Sequence, residues 1–188
     1  PEPLPEHLTD ISALVKNKGC QLGIVVDPDV DRLVIVNEDG SMFGEEYTLV
    51  AVADYVLAAQ KGNTVSNLSS TRALRDVTIK AGREYHASSV GEVNVIEKMK
   101  AVNAVIGGEG NGGVIYPELH YGRDALAGIA LFLSHLAKFG KSASLLRAKY
   151  PNYYMAKKKI DLDPSTNIDL LFAEVEKKYS KYNVNTID

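Results

Sequence analysis

Short apolar runs and longer stretches of helical spacing alternate along this chain, with turn residues between them. Leu22 to Val26 and Leu33 to Asn37 are apolar runs of strand length. From Glu45 to Gln60, by contrast, Leu49, Val50, Val52, Ala53, Val56 and Leu57 recur at helical spacing. The same reading predicts helices over Asp10–Lys18, Arg72–Ala81, Glu92 to about Lys100 and Asp124–Phe139. It predicts strands at Thr64–Leu68, Glu84–Ala87 and Ala104–Ile106, then extended chain at Val114-Ile115-Tyr116. Gly19, Gly82 and Gly140 stand where helices should stop, because the residue past a helix end takes a left-handed backbone that glycine adopts without steric cost. Thr9 or Asp10 is the expected cap of the first helix. Glu38-Asp39-Gly40-Ser41 reads as a turn, and Gly107 to Gly113 as a glycine-rich loop.

The pattern changes after Tyr150. Pro151 to Tyr154 reads as a linker, Met155 to Ile160 as a strand, and Ile168 to about Lys178 as a helix capped by Ser165, Thr166 or Asn167. Strands alternating with helices from Glu45 to Gly140 predict the α/β class: a layered α/β/α domain with a mixed sheet. Both ends of the sequence read as cut from something larger.

Composition narrows the function classes. Apolar residues at 45% and charged residues at 24% are the mixture of a soluble globular protein. A net charge of -3 and the lack of a basic stripe with interleaved aromatics argue against nucleic acid as a partner. Lys157-Lys158-Lys159 is a short cluster and reads as a solvated strand edge. The lone Cys20 rules out an internal disulfide framework and fits a reducing compartment. The best apolar stretch, Leu49–Ala59, contains Asp54 and is too short to span a bilayer, so a cytosolic protein with no membrane partner is expected. His7, His86, His120 and His135 are scattered without metal-ligand spacing.

The segment Asp27-Pro28-Asp29-Val30-Asp31-Arg32, between the first two strands, is the most specific feature. Carboxylates this close repel one another unless a cation sits among them. Hard oxygen ligands suit Mg²⁺ or Ca²⁺ rather than zinc. An EF-hand is excluded, since Arg32 stands at the obligatory turn glycine and the apolar run through Val36 demands a strand where that loop must coil. A solvated polar loop is the plain alternative, and it leaves three clustered charges uncompensated. Strand-Asp-x-Asp also resembles the nucleophile motif of haloacid-dehalogenase-like phosphatases, with Asp27 as nucleophile and Asp29 as acid/base. The downstream acidic metal motif of that family is missing here, and the third aspartate and Arg32 fit it poorly. A non-catalytic α/β binding module is a further alternative.

One resemblance takes in the whole chain. DPDVDR, followed by Gly40 and by Gly44-Glu45-Glu46 opening a helix, resembles the metal loop of the α-D-phosphohexomutase superfamily. Ser70-Thr71-Arg72-Ala73-Leu74, Ser89-Val90-Gly91-Glu92, Gly108-Glu109-Gly110-Asn111-Gly112-Gly113 and Tyr121-Gly122-Arg123-Asp124 are similar to later segments of that superfamily, in the same order and at matching spacing.

The resemblance implies a phosphomutase interconverting hexose 6-phosphate and hexose 1-phosphate through a phosphoserine and a bisphosphorylated intermediate, with phosphoglucosamine or phosphomannose as substrate. It implies Mg²⁺ held by Asp27, Asp29 and Asp31, and Arg32 as the catalytic residue that helps hold the phosphoryl group. It also implies Glu109 and Asn111 as contacts to the sugar. Residues 1–41 then resemble the end of the second domain with its metal loop. Residues 42–150 resemble the third domain with its sugar loop, and 151–188 a linker and the start of the fourth. The pattern is broken at Gly113, where many members carry histidine, and at Ser69, where some carry lysine. No Thr-x-Ser-His-Asn-Pro-like segment is present, so the isolated chain is expected to be inactive and the remaining domains of the parent enzyme to be its partners.

Overall fold

The computed structural model describes residues 7–156 and 158–182. The chain divides into two compact units, Pro1–Tyr153 and Tyr154–Asp188. In the first, helix α1 (Thr9–Lys18) leads to a hairpin of β1 (Leu22–Val26) and β2 (Leu33–Asn37). The strands pair antiparallel, from Leu22 opposite Asn37 to Val26 opposite Leu33. Then come α2 (Glu45–Ala59), β3 (Asn63–Asn67), α3 (Ala73–Lys80), β4 (Tyr85–Ser88), α4 (Glu92–Ala101), β5 (Ala104–Glu109), β6 (Gly113–Ile115), α5 (Ala125–Phe139) and α6 (Ala143–Arg147). The main sheet runs β4-β3-β5-β6, with β3 parallel to β4 and β5, and β6 antiparallel to β5. This is the mixed α/β arrangement the sequence predicts.

Burial explains the layers. Helix α2 buries nine residues, Tyr47 to Ala53 with Val56 and Leu57, because β2, β5, α3 and α5 all pack against it. A helix apolar on every side is stable only when enclosed in this way. The larger core cluster joins α2, α3 and α5 with Leu33, Ile35 and Phe43, and a smaller one of Val65, Val95, Met99, Ala104 and Ile115 lies between the sheet and α4. Every position of β2 is buried, whereas Ile24 and Val26 of β1 stay partly exposed.

Several local expectations need correction. Thr9 and Asp10 lie inside α1, which Leu8 precedes without a side-chain cap. Gly107 to Glu109 are not loop but the end of β5. A side chain at 107 would meet Met99 Sδ at 2.5 Å and the Val65 carbonyl at 2.9 Å, so glycine is what lets β5 lie against β3 and α4 there. Helix α6 went unread because it is only five residues long, with just Ala143 and Leu146 buried. Gly19 and Gly140 do close α1 and α5 in left-handed conformation.

In the second unit, α7 (Ile168–Lys178) forms with Asn167 as its cap, its side chain accepting from the Leu170 amide at 3.1 Å. The strand expected at Met155–Ile160 does not form at 155, 156 and 158–160, and Lys157 lies outside the described residues. A lone extended segment has no ladder to satisfy its backbone. Among the described residues, no helix is long and apolar enough to cross a membrane.

A polar knot pins α6 and its neighbourhood to α2. Asp54 Oδ2 accepts from Lys149 Nζ at 2.6 Å and Tyr150 Oη at 3.0 Å, with His135 Nε2 at 3.4 Å. Burial by itself pushes the Asp54 carboxyl up, but His135, Lys149 and Tyr150 together outweigh it and hold it well below the usual carboxylate range. The same burial and the Asp54 charge push the Tyr150 hydroxyl up. A depressed folded-state value stabilises above the unfolded value near 3.9, and that contribution is lost as pH falls through it toward the folded value. Asp54→Asn should therefore cost about 2 kcal/mol at pH 7 and flatten the stability loss below about pH 4, read from urea denaturation at a series of pH values. Parallel acid profiles for the two proteins would contradict this.

Candidate functional site

The loop joining β1 to β2 carries all three aspartates, and the start of α5 shapes it. Val30 has φ 58°, an uncommon conformation for a β-branched residue. Its amide donates to the Asp27 carbonyl at 3.1 Å, and its carbonyl accepts from the Ala125 amide at 3.0 Å. The helix start thus over-determines a strained turn. Asp124, the N-cap of α5, accepts the Ala127 amide through its side chain at 2.9 Å, and its own backbone amide donates to the Val114 carbonyl at 2.8 Å, so hairpin, sheet and helix meet here.

Asp27 is 7% exposed, and its Oδ1 accepts the amides of Asp31 at 3.2 Å and Arg32 at 3.1 Å. Burial pushes its carboxyl up, but those amides and the Asp31 side chain hold it below the ordinary range. Asp31 moves the other way: burial and the Asp27 carboxyl beside it raise it, and the Arg123 guanidinium offsets only part. Asp29 is exposed. One carboxylate oxygen from each of the three can lie within 4.8 Å of the others. Among the described residues Asp31 Oδ1 is buried without a hydrogen-bond partner, with Arg32 Nε 3.8 Å away, and a cation among the three would satisfy that oxygen. An all-oxygen donor set of this kind fits Mg²⁺. Arg32 stands at the rim, its Nε 3.6 Å from Asp27 Oδ2 and 3.8 Å from Asp31 Oδ1.

The glycine-rich turn between β5 and β6 lies directly beside this loop. The Leu33 amide donates to the Gly112 carbonyl at 3.1 Å, and Arg32 bridges to Gly113. Gly112 has φ +89°, and a Cβ there would stand 2.4 Å from the Leu33 carbonyl oxygen, so both conformation and space require glycine. Glu109, 5% exposed, is held at the end of β5. Its Oε1 accepts from Asn67 Nδ2 at 2.7 Å and the Gly91 amide at 3.3 Å, and its Oε2 from Arg123 at 2.8 Å. Asn111 closes its own turn, Oδ1 accepting from the Gly113 amide at 3.2 Å. Ser70 ties the turn to β3, accepting from the Gly110 amide at 2.8 Å and donating to Asn67 Oδ1 at 2.7 Å.

The structure brings Asp27, Asp29 and Asp31 together, puts Arg32 against them, and places Glu109 one side chain away. That side chain is Arg123, which sequence reasoning passed over as part of a helix opening. Arg123 pairs with Asp31, Glu109 and Glu92 at once. It also explains the break at Gly113: a Cβ at that position would stand 2.5 Å from Arg123 Cδ, so the arginine fills the space a side chain there would need. Asn67, Ser70 and Glu92 were missed as well. Glu92 and Ser70 lay inside quoted motifs, but nothing in the sequence pairs them with residues tens of positions away. Ser69 sits half-buried in the turn after β3.

The chain is similar to known proteins over most of its length. The family described as "Phosphoglucomutase/phosphomannomutase, alpha/beta/alpha domain III" matches residues 44–154, and the corresponding domain II family matches residues 1–40. A phosphoglucomutase/phosphomannomutase of Thermococcus kodakarensis is 33% identical, over 100% of this chain and 41% of its own length. A phosphoglucosamine/phosphogalactosamine mutase of Sulfurisphaera tokodaii is 29% identical, over 100% of this chain and 42% of its own. The chain therefore spans about two fifths of the length of these curated relatives. A phosphoglucomutase/phosphomannomutase family protein from Burkholderia thailandensis superposes with a TM-score of 0.72 at 29% identity, covering 79% of this chain and 33% of that one. An N-acetylphosphoglucosamine mutase of Aspergillus fumigatus, solved with GlcNAc-6P and magnesium, shares the fold with a TM-score of 0.59 at 15% identity, covering 85% of this chain and 44% of that one.

Proposed function

We propose that this chain, which belongs to the phosphoglucomutase/phosphomannomutase family, supplies the metal loop and the sugar-reading loop of an enzyme that interconverts hexose 6-phosphate and hexose 1-phosphate. The reaction runs through a phosphoserine and a bisphosphorylated intermediate, with phosphoglucosamine or phosphomannose as substrate. Within it, residues 1–41 form the end of one domain, 42–150 the domain that reads the sugar, and 151–188 the linker and the start of the next. The sequence contains no phosphoserine-type segment, so we assign the phosphoryl donor to another part of the parent enzyme and read the isolated chain as inactive.

The observation that carries this reading is the convergence of three aspartates, one carboxylate oxygen of which is buried without a hydrogen bond among the described residues, beside the glycine turn that follows Glu109. Asp27, Asp29 and Asp31 would hold Mg²⁺, whose charge, when bound, offsets the negative charge of the transferring phosphoryl group. Asp27 shapes the loop, since its carboxylate also takes two backbone amides. Arg32 offers a planar fork suited to phosphoryl oxygens. Glu109 already accepts three hydrogen bonds, which leaves about one of its four acceptor positions for a sugar hydroxyl. Asn111, with Oδ1 engaged, contributes through its amide donors.

Titrating the isolated chain with Mg²⁺ in a calorimeter tests the site. Binding is expected with a Kd on the order of 1 mM, as for sites short of protein ligands, and Asp29→Asn should abolish it. Binding that ignores the aspartate substitution would overturn the assignment. Assaying the full-length parent against glucose, mannose and glucosamine phosphates decides the substrate.

A further inference from the structure

We propose that Arg123 is a positioning residue that couples the cation loop to the sugar loop, holding one carboxylate of each in a single guanidinium fork. The inference rests on the reading above, in which Asp31 is a metal ligand and Glu109 a sugar contact.

The geometry is that of a shared tie. One terminal nitrogen of Arg123 is paired with Asp31 Oδ2, and the other donates to Glu109 Oε2 at 2.8 Å. Glu92 stands behind the fork: its Oε1 accepts the Arg123 backbone amide at 2.8 Å, and its Oε2 forms an ion pair with Nε at 3.7 Å. Asp124, next in the chain, caps α5 and so fixes the backbone from which the side chain leaves. The Arg123 side chain is 15% exposed, and Gly113 is the position that makes room for it.

Holding Oδ2 leaves Oδ1 as the oxygen of Asp31 that is buried without a hydrogen bond among the described residues. That oxygen and Asp27 Oδ2 approach the same nitrogen, Arg32 Nε, at 3.8 and 3.6 Å, so the two carboxylates are turned toward a common point. A ligating carboxylate whose second oxygen is held by a hydrogen-bond donor is oriented by that donor, and losing the donor commonly lowers metal affinity by about 10- to 100-fold. Because guanidinium is rigid and planar, its hold on Asp31 and on Glu109 cannot change independently. Lysine carries the charge on a single flexible ammonium and cannot make the same paired contact.

The sign of the effect separates positioning from simple charge. Arg123 is a cation next to a cation site, so through Coulomb's law alone its removal should tighten metal binding. The tie predicts weakening.

The test titrates the full chain with Mn²⁺ alone, following free ion by electron paramagnetic resonance. The proteins compared are the unaltered chain, Arg123→Gln, Arg123→Lys, Glu109→Gln and the Arg123→Gln/Glu109→Gln double variant, with Asp29→Asn as the reference for site-specific binding. Arg123→Gln is expected to weaken Mn²⁺ binding by about tenfold, and Arg123→Lys to recover less than half of that loss on a logarithmic scale. Glu109→Gln should change Mn²⁺ affinity in the unaltered chain, and this effect should shrink to within about twofold once Arg123 is glutamine. Unchanged or tighter binding in Arg123→Gln, full recovery in Arg123→Lys, or additive effects of the two glutamine substitutions would each overturn the proposal. If Arg123→Gln does not fold, the Arg123→Lys and Glu109→Gln titrations still decide it, since binding in both equal to that of the unaltered chain rules the tie out. A chain without Asp29-dependent Mn²⁺ binding would remove the premise, and the proposal with it. Asp29-dependent binding that is indifferent to Arg123 would leave the metal site standing and refute the tie alone.

Discussion

In the full-length enzyme, Asp29→Asn is expected to lower kcat by about a thousandfold, equivalent to about 4 kcal/mol of transition-state stabilisation, while KM for the hexose phosphate moves less than about threefold. The asymmetry follows from where charge develops. Electrostatic stabilisation by a metal ion acts on the transferring phosphoryl group and is worth several kcal/mol there, whereas in the proposed reading a different loop contacts the sugar. Asp29 is the informative position of the three. Asp27 accepts two backbone amides, so replacing it would also loosen the loop, and Asp31 is tied to Arg123. Asp29 is exposed and takes part in none of the described hydrogen bonds that shape the turn. Its replacement would therefore remove the proposed ligand and little else. Steady-state kinetics with glucosamine and mannose phosphates would read the result, and turnover within about threefold of the unaltered enzyme would rule the metal assignment out.

For the fold, the largest expected loss comes from Phe132→Ala. Phe132 is fully buried in the middle of α5 and meets the edge of Phe43, which is also fully buried, with ring centroids 4.9 Å apart and planes at 88°. Truncating a buried aromatic removes its transfer free energy and leaves a cavity that a packed core fills only in part, typically costing about 3–5 kcal/mol. The edge-to-face contact adds about 0.5–1.5 kcal/mol beyond burial. Against a total stability of about 5–15 kcal/mol, this is a large fraction. Phe132→Leu, which keeps most of the volume, should cost well under half as much. Urea denaturation midpoints give both values, and a loss below about 1 kcal/mol for the alanine variant would show that α5 is not anchored there. The consequence reaches the site, because the first turn of α5 holds the Val30 carbonyl and follows directly on Arg123.

What was legible in the sequence was whatever a single segment encodes. The runs Leu22–Val26 and Leu33–Asn37 became paired strands with the aspartates between them, because strand length and flanking polarity are local properties. The helical spacing from Glu45 onward became α2, and Gly19 and Gly140 ended their helices in the left-handed conformation. Three carboxylates on alternate positions of one short loop are visible in the sequence as a cluster, and the structure places an oxygen of each within 4.8 Å of the others.

The tertiary structure alone decided the features that depend on partners distant in the chain. Gly107 to Glu109 looked like loop, since glycine has no intrinsic strand preference, yet β5 continues through them, and at Gly107 β3 and α4 leave no room for a side chain. Met155–Ile160 looked like strand, but none forms at 155, 156 and 158–160, because an extended segment becomes a strand only where a neighbour supplies the ladder. Arg123 showed nothing in sequence beyond a charge ahead of a helix. Its partners Glu109, Glu92 and Asp31 lie far back along the chain, and only the packing of α5 against the hairpin and sheet sets them around one guanidinium. The sequence by itself determined the chemical groups and the loops that carry them. Their joining into one site was decided by burial and ion pairing between segments that no local pattern relates.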